Sequence, residues 1–214
     1  MKTSALFFAG LISLSLMIFG LGCHHPEKKK EAVSQARKAE SLGELLVKHP
    51  REKSLDRLDG FSNAWYSKYL EAMNEPAFFS LEGHGESYRF LWLRSFDHPI
   101  TIRIWQIGQE KTMVVKELDD IGGNLPAGKL ILDQRRQLRE DEWGKFLSLL
   151  NDASFWQLQT RTDKLVRDGA SWIIEGRKDG KTHLVDRWSP ASGKYREACL
   201  YLLELSRLKI KDVY

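Results

Sequence analysis

The stretch Asp168-Gly-Ala-Ser-Trp-Ile-Ile-Glu-Gly-Arg-Lys-Asp-Gly-Lys-Thr-His-Leu-Val-Asp-Arg-Trp-Ser-Pro190 leaves the chain little conformational choice. Two runs rich in β-branched and aromatic residues flank Asp179-Gly180. An Asp-Gly pair tolerates the positive φ that both central positions of a tight hairpin turn require. A two-residue turn also sets the register, so that Lys178 faces Lys181, Gly176 faces His183, Ile174 faces Val185 and Trp172 faces Arg187. One face of the hairpin then carries Trp172, Ile174, His183, Val185 and Arg187, and the other Ile173, Glu175, Leu184, Asp186 and Trp188. Ile174 and Val185 mark the first face as the core side, with the Arg187 guanidinium placed to lie on the Trp172 ring. The second face sets Glu175 and Asp186 on a diagonal beside the Trp188 indole.

The remaining elements follow from periodicity. Trp65, Tyr69, Ala72 and Met73 recur at helical spacing, which predicts a helix over about 62–74 with Ser62 or Asn63 as N-cap and Pro76 as its stop. Glu82-Gly-His-Gly-Glu86 reads as a loop, and His84 has no second His at ligand spacing, so no metal site is expected. Four strands come next. Tyr88 to Phe96 places Tyr88, Phe90, Trp92 and Phe96 on one face and Leu91 and Leu93 on the other, the pattern of a central strand. Ile100 to Ile107, Thr112 to Leu118 and Lys129 to Asp133 complete the set. Gly122-Gly123 lacks the Lys-Ser/Thr ending of a phosphate loop and reads as a turn. A helix over 140–151 carries the stripe Trp143, Phe146, Leu147 and Leu150. Phe155-Trp156 turns back to the core. A last helix, Ser192 to Leu208, faces Tyr195, Cys199, Leu202 and Leu205 inward with Ser192 as cap. The expected class is α+β, with an antiparallel or mixed sheet of about six strands and helices packed on it.

The N-terminus bears on the compartment. Lys2 is the only charged side chain before Glu27, and Ala5 to Gly22 is almost wholly apolar or small. A basic start followed by an apolar core describes an export signal. Gly20-Leu21-Gly22-Cys23 resembles the lipobox of bacterial lipoproteins, in which the Cys is lipidated and becomes the new N-terminus. Gly20 stands where that motif usually has Leu, so ordinary signal-peptidase cleavage is a second outcome. An uncleaved anchor is the third, because the uncharged run from Thr3 to Cys23 can span a bilayer and Lys28 to Lys30 follow it. The resulting division is a signal peptide at 1–22, a lipidated Cys23 with a polar tether to 57, and one globular domain over 58–214.

Composition narrows the partners. The net charge of +4 is spread along the sequence rather than gathered with aromatics, which argues against nucleic acid. Cys199, the only cysteine besides Cys23, falls in an apolar helical pattern and reads as buried filling. No cofactor motif is present.

Tyr88-Arg-Phe-Leu-Trp-Leu-Arg94, His98-Pro99, Pro126-Ala-Gly128, Phe155-Trp156, Asp168-Gly-Ala-Ser-Trp172 and Asp186-Arg-Trp-Ser-Pro190 together resemble a family of uncharacterised bacterial proteins, often exported, over roughly residues 74–208. The resemblance implies a bacterial envelope origin and a single domain, and carries over no catalytic residue. Two functions are weighed. The first is an envelope lipoprotein, held at the membrane by its lipid, whose non-enzymatic domain binds a protein or a cell-wall component. The second is a glycan or peptide hydrolase using Glu175 and Asp186 as acid and base with Trp188 stacking on a sugar. Against it stands a plain alternative, in which both carboxylates pair with Arg177, Arg187 or Lys178 on a solvent face. His24 after the Cys is not the Asp that favours inner-membrane retention in Gram-negative lipoproteins, which leans towards the outer membrane.

Overall fold

Six strands make one sheet: β1 (Glu86–Arg94), β2 (Ile100–Ile107), β3 (Glu110–Leu118), β4 (Leu130–Gln137), β5 (Ala170–Lys178) and β6 (Lys181–Trp188). Their spatial order is β4-β3-β2-β1-β5-β6, with every neighbouring pair antiparallel. The hairpin register is the one the Asp179-Gly180 turn dictates, and both turn residues have positive φ. The α+β class with an antiparallel six-stranded sheet is thus as expected. The computed structural model describes Leu55 and residues 57–78, 85–120, 127–162 and 168–214, all within the unit Glu40–Tyr214. The signal segment with Cys23, most of the tether, His84 and the Gly122-Gly123 pair lie outside the described residues.

β1 is buried on both sides, as its central place requires. Tyr88, Phe90 and Trp92 point to one core, with Ile102, Ile104, Trp172, Ile174 and Val185. That core is covered by α2 (Glu140–Asp152), through Trp143, Phe146 and Leu150, and by α3 (Lys194–Ser206), through Ala198, Cys199 and Leu202. Leu91 and Leu93 point the other way, with Ile173 and Leu184, towards Tyr66, Tyr69, Leu70 and Met73 of α1 (Gly60–Ala72). The result is three layers with the sheet in the middle. Among the described residues, no helix is long and apolar enough to cross a membrane.

Several local expectations are corrected. The cap of α1 is Asp59, not Ser62 or Asn63; its carboxylate accepts from the Ser62 N–H at 3.0 Å and from the Ser62 hydroxyl at 2.7 Å. The cap of α3 is Gly193, at φ +102°, one residue past Ser192. β1 stops at Arg94, so Phe96 leaves the strand and is 63% exposed. β4 runs on to Gln137, where an edge strand facing solvent is polar and does not alternate visibly. Arg187 lies over Tyr195, at 5.8 Å, and Arg196 takes the place over Trp172. Leu55, assigned by composition to the tether, is fully buried in the α1-side core.

Candidate functional site

The hairpin carboxylates share the sheet face that α1 covers, and both are buried. Glu175 accepts from Arg89 Nε at 2.6 Å, across the β1–β5 pair that sets these two residues opposite one another. The same guanidinium donates to the Pro76 carbonyl at 3.0 Å. Asp186 accepts from Tyr66 Oη at 3.0 Å and from Arg161, whose Nε lies at 2.9 Å and whose Nη2 also touches it. Arg161 continues to the Asp59 carboxylate and the Ser62 hydroxyl, tying β6 to the start of α1. Burial pushes the Asp186 carboxyl above the usual range, opposed by Arg161 and the Tyr66 hydroxyl.

The expected pairing on a solvent face is therefore corrected in both location and partner. Lys178 pairs with Glu86 at 3.3 Å, and Arg187 donates to the carbonyls of Gln159 and Thr160. Trp188 is half-buried and seals the base of the hairpin. A Cβ on Gly169 would stand 2.7 Å from its indole, so this glycine exists to let the ring in. Ser189 Oγ accepts from the Ala170 N–H beside it. A general acid or base must reach the proton it moves. Neither Glu175 nor Asp186 lines either of the clefts described below.

The face carries a second buried ionic group. Glu75, just past α1, meets Arg103 Nε at 2.9 Å and Lys116 Nζ at 3.2 Å, with Arg89 Nη1 at 4.0 Å. Lys116 also donates to the Met73 and Asn74 carbonyls at the end of α1, where a helix C-terminus favours a cation.

An open cleft of about 630 Å³ lies at the hairpin tip, lined by Arg57, Trp156, Lys178, Lys181, Thr182 and His183 among others. Its wall is built by the single turn Phe155–Gln157, entered through Ser154 at φ +50°. Gly176 makes the turn fit, since a Cβ there would stand 2.7 Å from the Phe155 ring. His183 faces Gly176 across the hairpin, and its ring meets Phe155 edge-on at 5.2 Å and Trp156 at 6.1 Å. Leu158 O lies 3.0 Å from His183 Nε2 and can only accept, so Nε2 carries the proton. Nδ1 is then the acceptor facing Arg57 Nη1 at 3.4 Å, while Arg57 Nη2 donates to Thr182 O at 3.1 Å. Burial, reinforced by the Arg57 charge, holds the imidazole below its ordinary pKa, so it is neutral at pH 7.

A smaller cleft of about 220 Å³ runs between Arg94, His98, Glu117 and the segment Leu208 to Lys211. His98 Nδ1 sits 3.1 Å from Glu117, and Arg94 donates twice to the His98 carbonyl. Among the described residues, no three His, Cys, Asp or Glu side chains are grouped to hold a metal. Cys199 is fully buried and burial pushes its thiol well up, which makes it inert filling, as its pattern suggests.

Sequence reasoning missed the tip cleft because its walls come from three separate segments. One signal was present: a glycine inside a strand, at Gly176, marks a close approach. The chain matches no family model, no curated protein and no solved structure.

Proposed function

We propose that this chain is a bacterial envelope lipoprotein, anchored through Cys23, whose globular domain binds a protein or cell-wall component at the hairpin-tip cleft. One observation carries the binding part. The two carboxylates a hydrolase would need are buried against Arg89 and Arg161, whereas Trp156, Arg57 and Lys181 line an open concavity. The anchoring part rests on the apolar start of the chain, on Gly20-Leu21-Gly22-Cys23, and on the resemblance to a family of exported bacterial proteins. The absence of Asp after Cys23 favours the outer membrane.

Crosslinking in intact cells, followed by capture of the tagged full-length protein, tests the reading. A molecule enriched in proportion to the wild-type bait and lost from a Lys181→Glu bait supports it. Recovery of the bait alone, or capture indifferent to Lys181, removes it. Radiolabelled palmitate incorporated into the wild type and absent from Cys23→Ser tests the anchor independently.

A further inference from the structure

We infer that the hairpin-tip cleft takes an acidic sugar, its anionic group against Arg57 and Lys181 and its ring stacked on Trp156. The inference rests on the binding reading above and names its ligand class.

Charge comes first. Arg57, Lys178 and Lys181 outnumber Asp179 around the cleft. Lys178 is offset by Glu86, while Lys181 is exposed and has no ion-pair partner among the described residues. Arg57 is held in place rather than swinging in solvent: two of its nitrogens are directed at His183 Nδ1 and Thr182 O. A guanidinium has five N–H groups, so this orientation fixes the plane and leaves capacity for an anion. The neutral His183 acts here as the positioning residue, because only an unprotonated Nδ1 can accept from Arg57.

Shape and polarity then select among anions. The half-buried Trp156 supplies a flat apolar wall, backed by Phe155 at 5.3 Å, suited to the face of a ring. Gln157, Thr182 and Asp179 add donors and acceptors suited to hydroxyl groups. Asp179 on the rim opposes a polyphosphate and fits a ligand with one negative charge and many hydroxyls. An extended peptide would need a strand edge to pair with. The β6 edge beside the cleft is occupied at both ends instead: Arg57 holds Thr182 O, and Asp186 N donates to Thr160 O at 2.7 Å.

The test is calorimetric titration of the full-length protein in detergent with trigalacturonate, glucose 6-phosphate and neutral maltotriose. Trigalacturonate or the sugar phosphate is expected to bind at least about tenfold more tightly than maltotriose, and whichever leads identifies the anion as carboxylate or phosphate. Raising salt from about 50 to about 500 mM is expected to weaken that binding severalfold. Lys181→Glu is expected to weaken it at least about tenfold, and Trp156→Ala to abolish it. Because the Trp156 ring also touches Tyr88 and Phe155, Lys181→Glu at the exposed turn is the variant that decides. Equal affinity for acidic and neutral sugars, indifference to Lys181→Glu, or no heat with any of the three probes overturns the inference. If no sugar binds but capture from cells still depends on Lys181, only the ligand class falls; if capture is indifferent too, the binding reading falls with it.

Discussion

The two faces of the sheet are built from the same strands and differ in how much charge they bury. Under α2 and α3 the sheet side chains are aromatic and aliphatic, from Tyr88, Phe90 and Trp92 to Ile174 and Val185. Tyr195 Oη, set between the carbonyls of Trp172 and Val185 and the Ile174 N–H, is a rare polar group there and is fully satisfied. Under α1 the same strands bury Arg89, Arg103, Lys116, Glu175 and Asp186. Lys68 of α1 is buried too, its ammonium 3.7 Å from the Trp65 ring and held down to about 8 by burial. Both faces gain from area removed from water, the α1 side through Leu91, Leu93, Ile173 and Leu184, but only the α1 side also depends on each buried charge finding its partner. The first kind tolerates repacking, the second fails when one member is removed.

The largest expected effect breaks the ionic face. Arg89→Met leaves Glu175 buried without its guanidinium and should cost about 3–5 kcal/mol by urea unfolding. Arg89→Met with Glu175→Leu should recover most of that loss, which is the signature of a stranded charge. A double variant no more stable than Arg89→Met would refute the comparison. Phe146→Ala on the apolar face should cost about 3–5 kcal/mol as well, through the cavity it opens. No second deletion beside Phe146 should rescue it, and a rescue would show that the two faces do not differ in kind.

A smaller effect lies where α1 begins. Asp59→Ala should cost about 1 kcal/mol at pH 7 through the lost cap. Burial would raise the Asp59 carboxyl, but the Ser62 N–H and hydroxyl, then Arg161, hold it below its ordinary value. A carboxyl lowered in the folded state stabilises above its unfolded pKa, and that contribution is lost as pH falls through the folded one. Wild type and Asp59→Ala should therefore converge in stability towards strong acid; a gap unchanged from pH 7 to pH 2 would show that the carboxylate charge is not involved. The smallest effect is a control. Phe96→Ser, at a ring outside both cores, should change stability by less than about 0.5 kcal/mol.

The apolar face was legible in the sequence because its periodicities are local. The alternation in Tyr88 to Leu93, the Trp143-Phe146-Leu150 stripe and the Asp-Gly turn each declare an element within a few residues. The ionic face was not. Glu175 finds Arg89 86 positions away and Asp186 finds Arg161 25 positions away. Polar residues alternating along β5 and β6 look the same whether the face meets water or a helix, and only the packing of α1 distinguishes the two. The tip cleft was hidden for a related reason: Arg57, Trp156 and His183 meet only after β6 has paired with β5 and Phe155 has settled on Gly176.

The central place of β1 also separates its two partners along the chain. Its β2 neighbour follows a short turn, whereas β5 lies beyond β2, β3, β4 and α2 in the sequence. Pairing across so long a separation closes a large loop, which on general grounds is the slower of the two pairings. The strand between them reads Tyr-Arg-Phe-Leu-Trp-Leu, an apolar, β-prone segment of the kind that pairs with other chains when its edge is exposed. Arg89 sits in its middle. A charge within such a segment opposes that pairing, and in the folded sheet the same guanidinium is the partner of Glu175. A single arginine thus interrupts an apolar strand and holds a buried carboxylate.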